Sequence, residues 1–219
     1  MKTNFLLAAT VLAMVFAAMA TLAATGSSVS GQSTDPDSSI ARNCAAMSAL
    51  PPSNLSESEK QGILFMREEE KLARDVYVAM AAKWDIPVFT NISQSETRHM
   101  ESMLALIERY NLVDPVTDDG SGEFADANLK NLYQVLIKQG NNSLVDALRA
   151  GALIEETDIA DLQKNMDKTD NADIKQVYEN LLQASYRHLR AFTRNLAMRN
   201  MAYVPQVLTE AEFEDIITE

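Results

Sequence analysis

From Leu55 onward, apolar residues recur at three- and four-residue steps through most of the chain, the period of helices that hide one face. The first such helix opens on the capping box Ser56-Glu57-Ser58-Glu59, carries Ile63, Met66, Ala73, Tyr77 and Met80 on one stripe, and stops at Ile86-Pro87. A second begins between Pro87 and Ser93, with a box-like start at Ser93-Gln94-Ser95-Glu96. It turns Ile92, Glu96, His99, Met103, Leu106 and Tyr110 inward. Asp, Gly, Pro and Ser crowd residues 111–126 and predict a long crossover loop. A short helix over Leu129, Leu132, Tyr133 and Leu136 follows it and ends at Gly140. The third long helix starts at the cap Ser143 and carries Leu148, Ala152, Glu155, Ile159, Leu162 and Met166. Within it, Gly151 either costs about 1 kcal/mol or marks a break. The fourth follows Thr169-Asp170 and sets Ile174, Val177, Leu181, Ser185, His188 and Phe192 on one side, ending between Asn195 and Met201.

The pattern predicts an all-α fold: one four-helix bundle over residues 56–201, with a long crossover that contains a short extra helix. A C-terminal tail, residues 202–219, adds a short helix opening on Thr209-Glu210-Ala211-Glu212. Ahead of the bundle, residues 1–24 have one lysine, an apolar run without acids and the small-residue end Ala18-Met19-Ala20, the pattern of a cleaved signal peptide. The expectation is an exported protein: periplasmic, extracellular or at the cell surface. Left uncleaved, the same segment would be a membrane anchor. Residues 25–55 are rich in Ser, Gly, Thr, Asp and Pro and read as a disordered linker. Cys44 there has no second cysteine to pair with.

Charge narrows the partners. The chain has 31 acidic residues against 19 basic ones, a net −12, and loss of Lys2 with the signal segment makes it more negative still. Such a surface repels nucleic acid and anionic membranes. No Gly-rich phosphate loop, His-Glu-x-x-His or Cys-x-x-Cys is present. The acidic stretch Asp118-Asp119-Gly120-Ser121-Gly122-Glu123 lacks the alternation of a calcium loop and reads as an ordinary solvated turn.

The candidate chemistry lies in the polar residues that interrupt the apolar stripes: Glu70, Glu96, His99, Glu155 and His188, with Glu156 beside Glu155 and Asp158 three residues on. Glu96 and His99, three apart on a helix, point the same way. Buried carboxylates without a cation cost several kcal/mol each and repel one another; a metal ion removes both penalties. The alternative is a non-catalytic exported interaction or structural domain. In that reading Arg67, Arg74, Arg98 and Arg187 pair with the inward acids, and Glu68-Glu69-Glu70 is a solvated charge run.

Glu70-Lys71-Leu72-Ala73-Arg74-Asp75-Val76-Tyr77 resembles the first-helix signature of rubrerythrin-type ferritin-like proteins, and Ser95-Glu96-Thr97-Arg98-His99 resembles their second-helix Glu-x-x-His. The run from Glu68 to Phe192 resembles more closely the ferritin-like domain of unknown function family 2202. The resemblance implies a carboxylate and histidine site for one or two iron ions, with manganese as the alternative. Its ligands would be Glu70, Glu96, His99, Glu155 or its neighbour Glu156, and His188. It implies reaction with dioxygen or peroxide, of peroxidase or ferroxidase type, with Tyr77 or Tyr178 as an electron donor, and it leaves a homodimer open. There is one departure: Ser185 stands where such proteins have a Glu three residues before the fourth-helix His. Glu179 sits on the wrong face to replace that Glu, whereas Asp158, beside Glu155, can reach inward.

Overall fold

The computed structural model describes residues 54–218; the expected signal segment, Cys44 and the linker before Asn54 lie outside the described residues. Among the described residues six helices follow one another: α1 Glu57–Trp84, α2 Pro87–Arg109, α3 Ala127–Gly140, α4 Leu144–Met166, α5 Ala172–Ala197 and α6 Glu210–Thr218. None is long and apolar enough to cross a membrane.

The start of α1 follows the predicted capping box. Ser56 Oγ accepts from the Glu59 N–H at 3.3 Å, and the Glu59 carboxylate accepts from the Ser56 N–H at 2.7 Å. The other oxygen of Glu59 accepts from Thr169 and Asn171, so the cap also ties α1 to the turn between α4 and α5. α1 ends on Asp85 in the left-handed region (φ 47°), and α2 starts immediately with Pro87 in its first turn, where a missing N–H costs nothing. The box-like Ser93-Gln94-Ser95-Glu96 is therefore helix interior, with Ser93 Oγ donating to the Thr90 carbonyl. Proline's fixed φ, and the buried Val88, Phe89 and Ile92 that extend the stripe back to it, decide the start. Nor does Gly151 break α4. A Cβ there would lie 2.5 Å from the Phe192 ring, so the glycine marks a close approach of α5.

α1 pairs along its length with α2, and α4 with α5, while contacts of α1 with α4 and α2 with α5 close the ring of four. Each of these pairs is antiparallel. Glu59 meets Thr169 and Tyr77 meets Gly151 across α1 and α4; Arg109 meets Asp173 and Phe89 meets Phe192 across α2 and α5. Consequently α2 and α4 run the same way, and the chain must travel back along the bundle between them. The crossover does this, with α3 packed on α1 and α4.

Charged residues of α1 hold that crossover. Arg67 donates to Asp114 (3.2 and 3.0 Å) and to the Met100 carbonyl (2.9 Å). Lys71, fully buried, meets Asp75 at 2.7 Å and the Gly120 carbonyl at 2.8 Å beneath the Phe124 ring. Arg74 bridges Asp75 and Asp119, and Glu68 accepts from the N–H groups of Ala125 and Asp126. Arg67 and Arg74 thus serve the crossover, and the loop's acids are in part paired rather than merely solvated.

Candidate metal centre

Midway along the bundle, four helices turn acidic and imidazole side chains to one buried point: Glu70 from α1, Glu96 and His99 from α2, Glu155 from α4 and His188 from α5. Glu96 lies at the middle. Its Oε2 is 2.7 Å from His99 Nδ1 and its Oε1 is 2.9 Å from His188 Nδ1. Glu70 Oε2 approaches His99 Nδ1 at 3.1 Å from one side, and Glu155 Oε2 approaches His188 Nδ1 at 3.3 Å from the other. The two imidazole rings stack with centroids 5.6 Å apart. The result is two near-equivalent trios, Glu70/Glu96/His99 and Glu96/Glu155/His188, sharing one carboxylate, with the donor atoms of each within 4.8 Å of one another.

Several of these atoms lack a protein partner. His188 Nδ1 and Glu96 Oε1 are close but not aligned as a hydrogen bond, and Glu70 Oε1 and Asp158 Oδ1 are buried without a partner. Buried polar atoms are ordinarily satisfied, so this concentration at one place points to a missing common partner. Carboxylate oxygens with imidazole nitrogens form a donor set that suits a transition-metal ion, and the residues fit such an ion.

Without an ion, burial and the neighbouring charges set the protonation of these groups. Burial disfavours charge on His188, yet Glu96 and Glu155 raise it to about 9; Glu96 and Glu70 likewise hold His99 well above its ordinary value. Burial drives Glu70 up to about 8 against the pull of His99, and it raises Glu155 against the pull of His188. Burial would raise Glu96 too, but the two histidines hold it well below the usual carboxylate range.

Asp158 stands just outside both trios. Its Oδ2 accepts from the Ser185 hydroxyl, and burial followed by the charges of Glu70, Glu69 and Glu155 pushes it well up. Ser185, at the α5 position where the resembled proteins carry a glutamate, thus holds a carboxylate of α4. Glu156 is not at the centre, and this corrects the expectation that it is an alternative to Glu155. Its oxygens accept from Tyr203 and from the N–H groups of Gln206, Val207 and Leu208, which fixes the C-terminal segment. Of the two tyrosines, Tyr77 belongs to the centre, donating to Glu155 Oε1 at 2.5 Å; Tyr178 lies beside Gly62. Glu179 accepts from Gln183 along α5, away from the cluster. Glu69 and Asp161, not singled out from the sequence, are buried as well; Glu69 is adjacent to Glu70 and Asp161 is three residues beyond Asp158.

The chain matches the family described as uncharacterized protein domain DUF2202 over residues 59–219. It is 49% identical over 172 residues to the uncharacterized protein MJ0754 of Methanocaldococcus jannaschii, spanning 78% of this chain and 93% of that one. The crystal structure of hypothetical protein MJ0754 from Methanococcus jannaschii superposes with a TM-score of 0.77 at 48% identity, over 78% of this chain and 98% of that chain. With that match and this bundle, the chain belongs to the DUF2202 family, and its fold is ferritin-like.

Proposed function

We propose that the protein is exported, that it holds one or two iron ions at Glu70, Glu96, His99, Glu155 and His188, with manganese the alternative, and that it oxidises ferrous iron or reduces peroxide there. The observation that carries this reading is the placement of one Glu96 oxygen against each histidine, which makes two trios of donors around a shared carboxylate. Bound iron or manganese would supply electron transfer and Lewis acidity toward dioxygen or peroxide.

The chain's own residues shape that chemistry. Glu70 and Glu155 would each add a carboxylate beside one histidine, and Ser185 offers a hydroxyl that donates to Asp158. Tyr77 fixes the Glu155 carboxylate. Burial and the charges of Glu155 and Glu96 keep its phenol protonated, so it sits as an O–H donor beside a ligand. The tilted rings of Tyr77, Phe89 and Phe192 pack against one another next to it and keep water away. Export is supported by the acid-free apolar run ending in Ala18-Met19-Ala20.

The test is to strip the protein with chelator, reload it with iron(II) without oxygen, measure bound metal by mass spectrometry and then add peroxide. Retained iron and peroxide consumption are expected, both lost in His99→Ala. Protein that elutes metal-free after incubation with iron and with manganese contradicts the reading.

A further inference from the structure

The three adjacent glutamates of α1 go three ways: Glu68 to the crossover, Glu70 to His99, and Glu69 toward α4, where its Oε2 is buried without a hydrogen-bond partner. The register of α1 against α4 is pinned by Glu59 with Thr169, Gly62 with Asn165 and Tyr77 with Gly151. That register sets Glu69 opposite Asp158 and Asp161, which lie about one turn apart on α4. Asp158 Oδ1 is also buried and unpartnered. Asp161 is the outermost of the three, and it pairs at 3.9 Å with Lys164, whose side chain is 43% exposed.

Acidic side chains therefore line the α1/α4 seam from a half-exposed lysine inward to the centre, and one oxygen of Glu69 and one of Asp158 have no partner there. Their mutual repulsion follows the same order. After burial, Glu69 is raised most by Asp161 and then by Glu70, while Asp158 is raised by Glu70, Glu69 and Glu155. Elsewhere in the bundle, buried acids such as Asp75 and Glu156 have bases, hydroxyls or backbone N–H groups for their oxygens. Oxygen donors without an imidazole hold a divalent cation less firmly than the mixed donors of the centre, which suits a position of passage.

We propose that Glu69, Asp158 and Asp161 form the passage by which a divalent cation travels along the α1/α4 seam into the centre, with Lys164 as the cation it displaces at the outer end. The inference rests on the metal-binding reading of the centre. Metal-free full-length protein is mixed with cobalt(II) in a stopped-flow instrument, and the visible bands that report coordination by His99 and His188 are followed. Glu69→Gln and Asp161→Asn should each slow the bands about tenfold, as expected when an acidic cleft stops concentrating a cation. Their final amplitude should equal that of the unsubstituted protein, which also shows that the variants fold. Lys164→Gln, a substitution at a half-exposed position, should load faster. Unchanged rates in all three variants overturn the passage while leaving the centre standing. Reduced amplitude at an unchanged rate makes Glu69 a supporting residue of the centre and likewise overturns it. Absence of bands in the unsubstituted protein removes the centre and the passage together.

Discussion

α1 carries two buried charged networks that differ in how they are completed. Toward the crossover, Arg67, Glu68, Lys71, Arg74 and Asp75 meet opposite charges or backbone groups of residues 114–126. Toward the bundle axis, Glu69 and Glu70 join Glu96, Glu155 and Asp158, with His99 and His188 as the bases and orphaned oxygens left over. The outer network is complete from protein atoms alone and does structural work. The inner one has too many acids for its bases, and only protons or a cation complete it. Burial by itself, then, does not mark a functional site. Buried charge that the chain leaves unmatched does.

Breaking the two networks should have opposite consequences. Lys71→Met leaves Asp75 buried with its closest cation gone and should cost about 3 kcal/mol in denaturant unfolding, with or without metal. On the inner side, iron(II) at a hundredfold excess over its dissociation constant should stabilise the protein by about 3 kcal/mol. Glu96→Ala, which removes the shared carboxylate, should abolish that gain and the metal content together.

The metal-free inner network should also respond to pH with a definite sign. His188 and Glu70 have folded-state values near 9 and 8, above their ordinary ones. Their contribution is complete below the ordinary values and is lost as pH rises through the folded ones. Glu96, held low, contributes above its ordinary value and weakens the fold only in acid. The melting temperature of chelated protein should therefore fall from about pH 4.5, where Glu70 begins to lose its contribution, to about pH 9, while the stabilisation by added metal grows over the same interval as protons are displaced. A flat metal-free profile across that range contradicts the assignment. Glu156→Gln should cost about 1–2 kcal/mol through loosened C-terminal contacts and leave metal content unchanged. Smallest of all, Glu70→Gln should leave the stability of chelated protein within about 1 kcal/mol of the original, since it removes a repulsion along with a histidine partner, yet it should lower the bound metal.

The helical period made Glu70, Glu96, His99, Glu155 and His188 legible, because inward position on an amphipathic helix is a local property. It did not separate Glu155 from Glu156. Every residue of α4 from Ala150 to Ile159 is buried, so the stripe has no outer edge there, and the partners of Glu156 come from the distant residues 203–208. The same limit hid Glu68 and Glu69 in what resembles a solvated run, since only the crossover and α4 reveal what each one faces. At Ser93 a local capping rule yielded to Pro87, whose constraint on the backbone is stronger.

The most direct test of the central claim is a crystal of the protein soaked in iron(II) without oxygen and measured at the iron absorption edge. Anomalous peaks are expected beside Glu96, one bounded by Glu70 and His99 and, with two ions, a second bounded by Glu155 and His188. A crystal that takes up iron elsewhere, or not at all, while these side chains keep their close approach would show that protons alone complete the network.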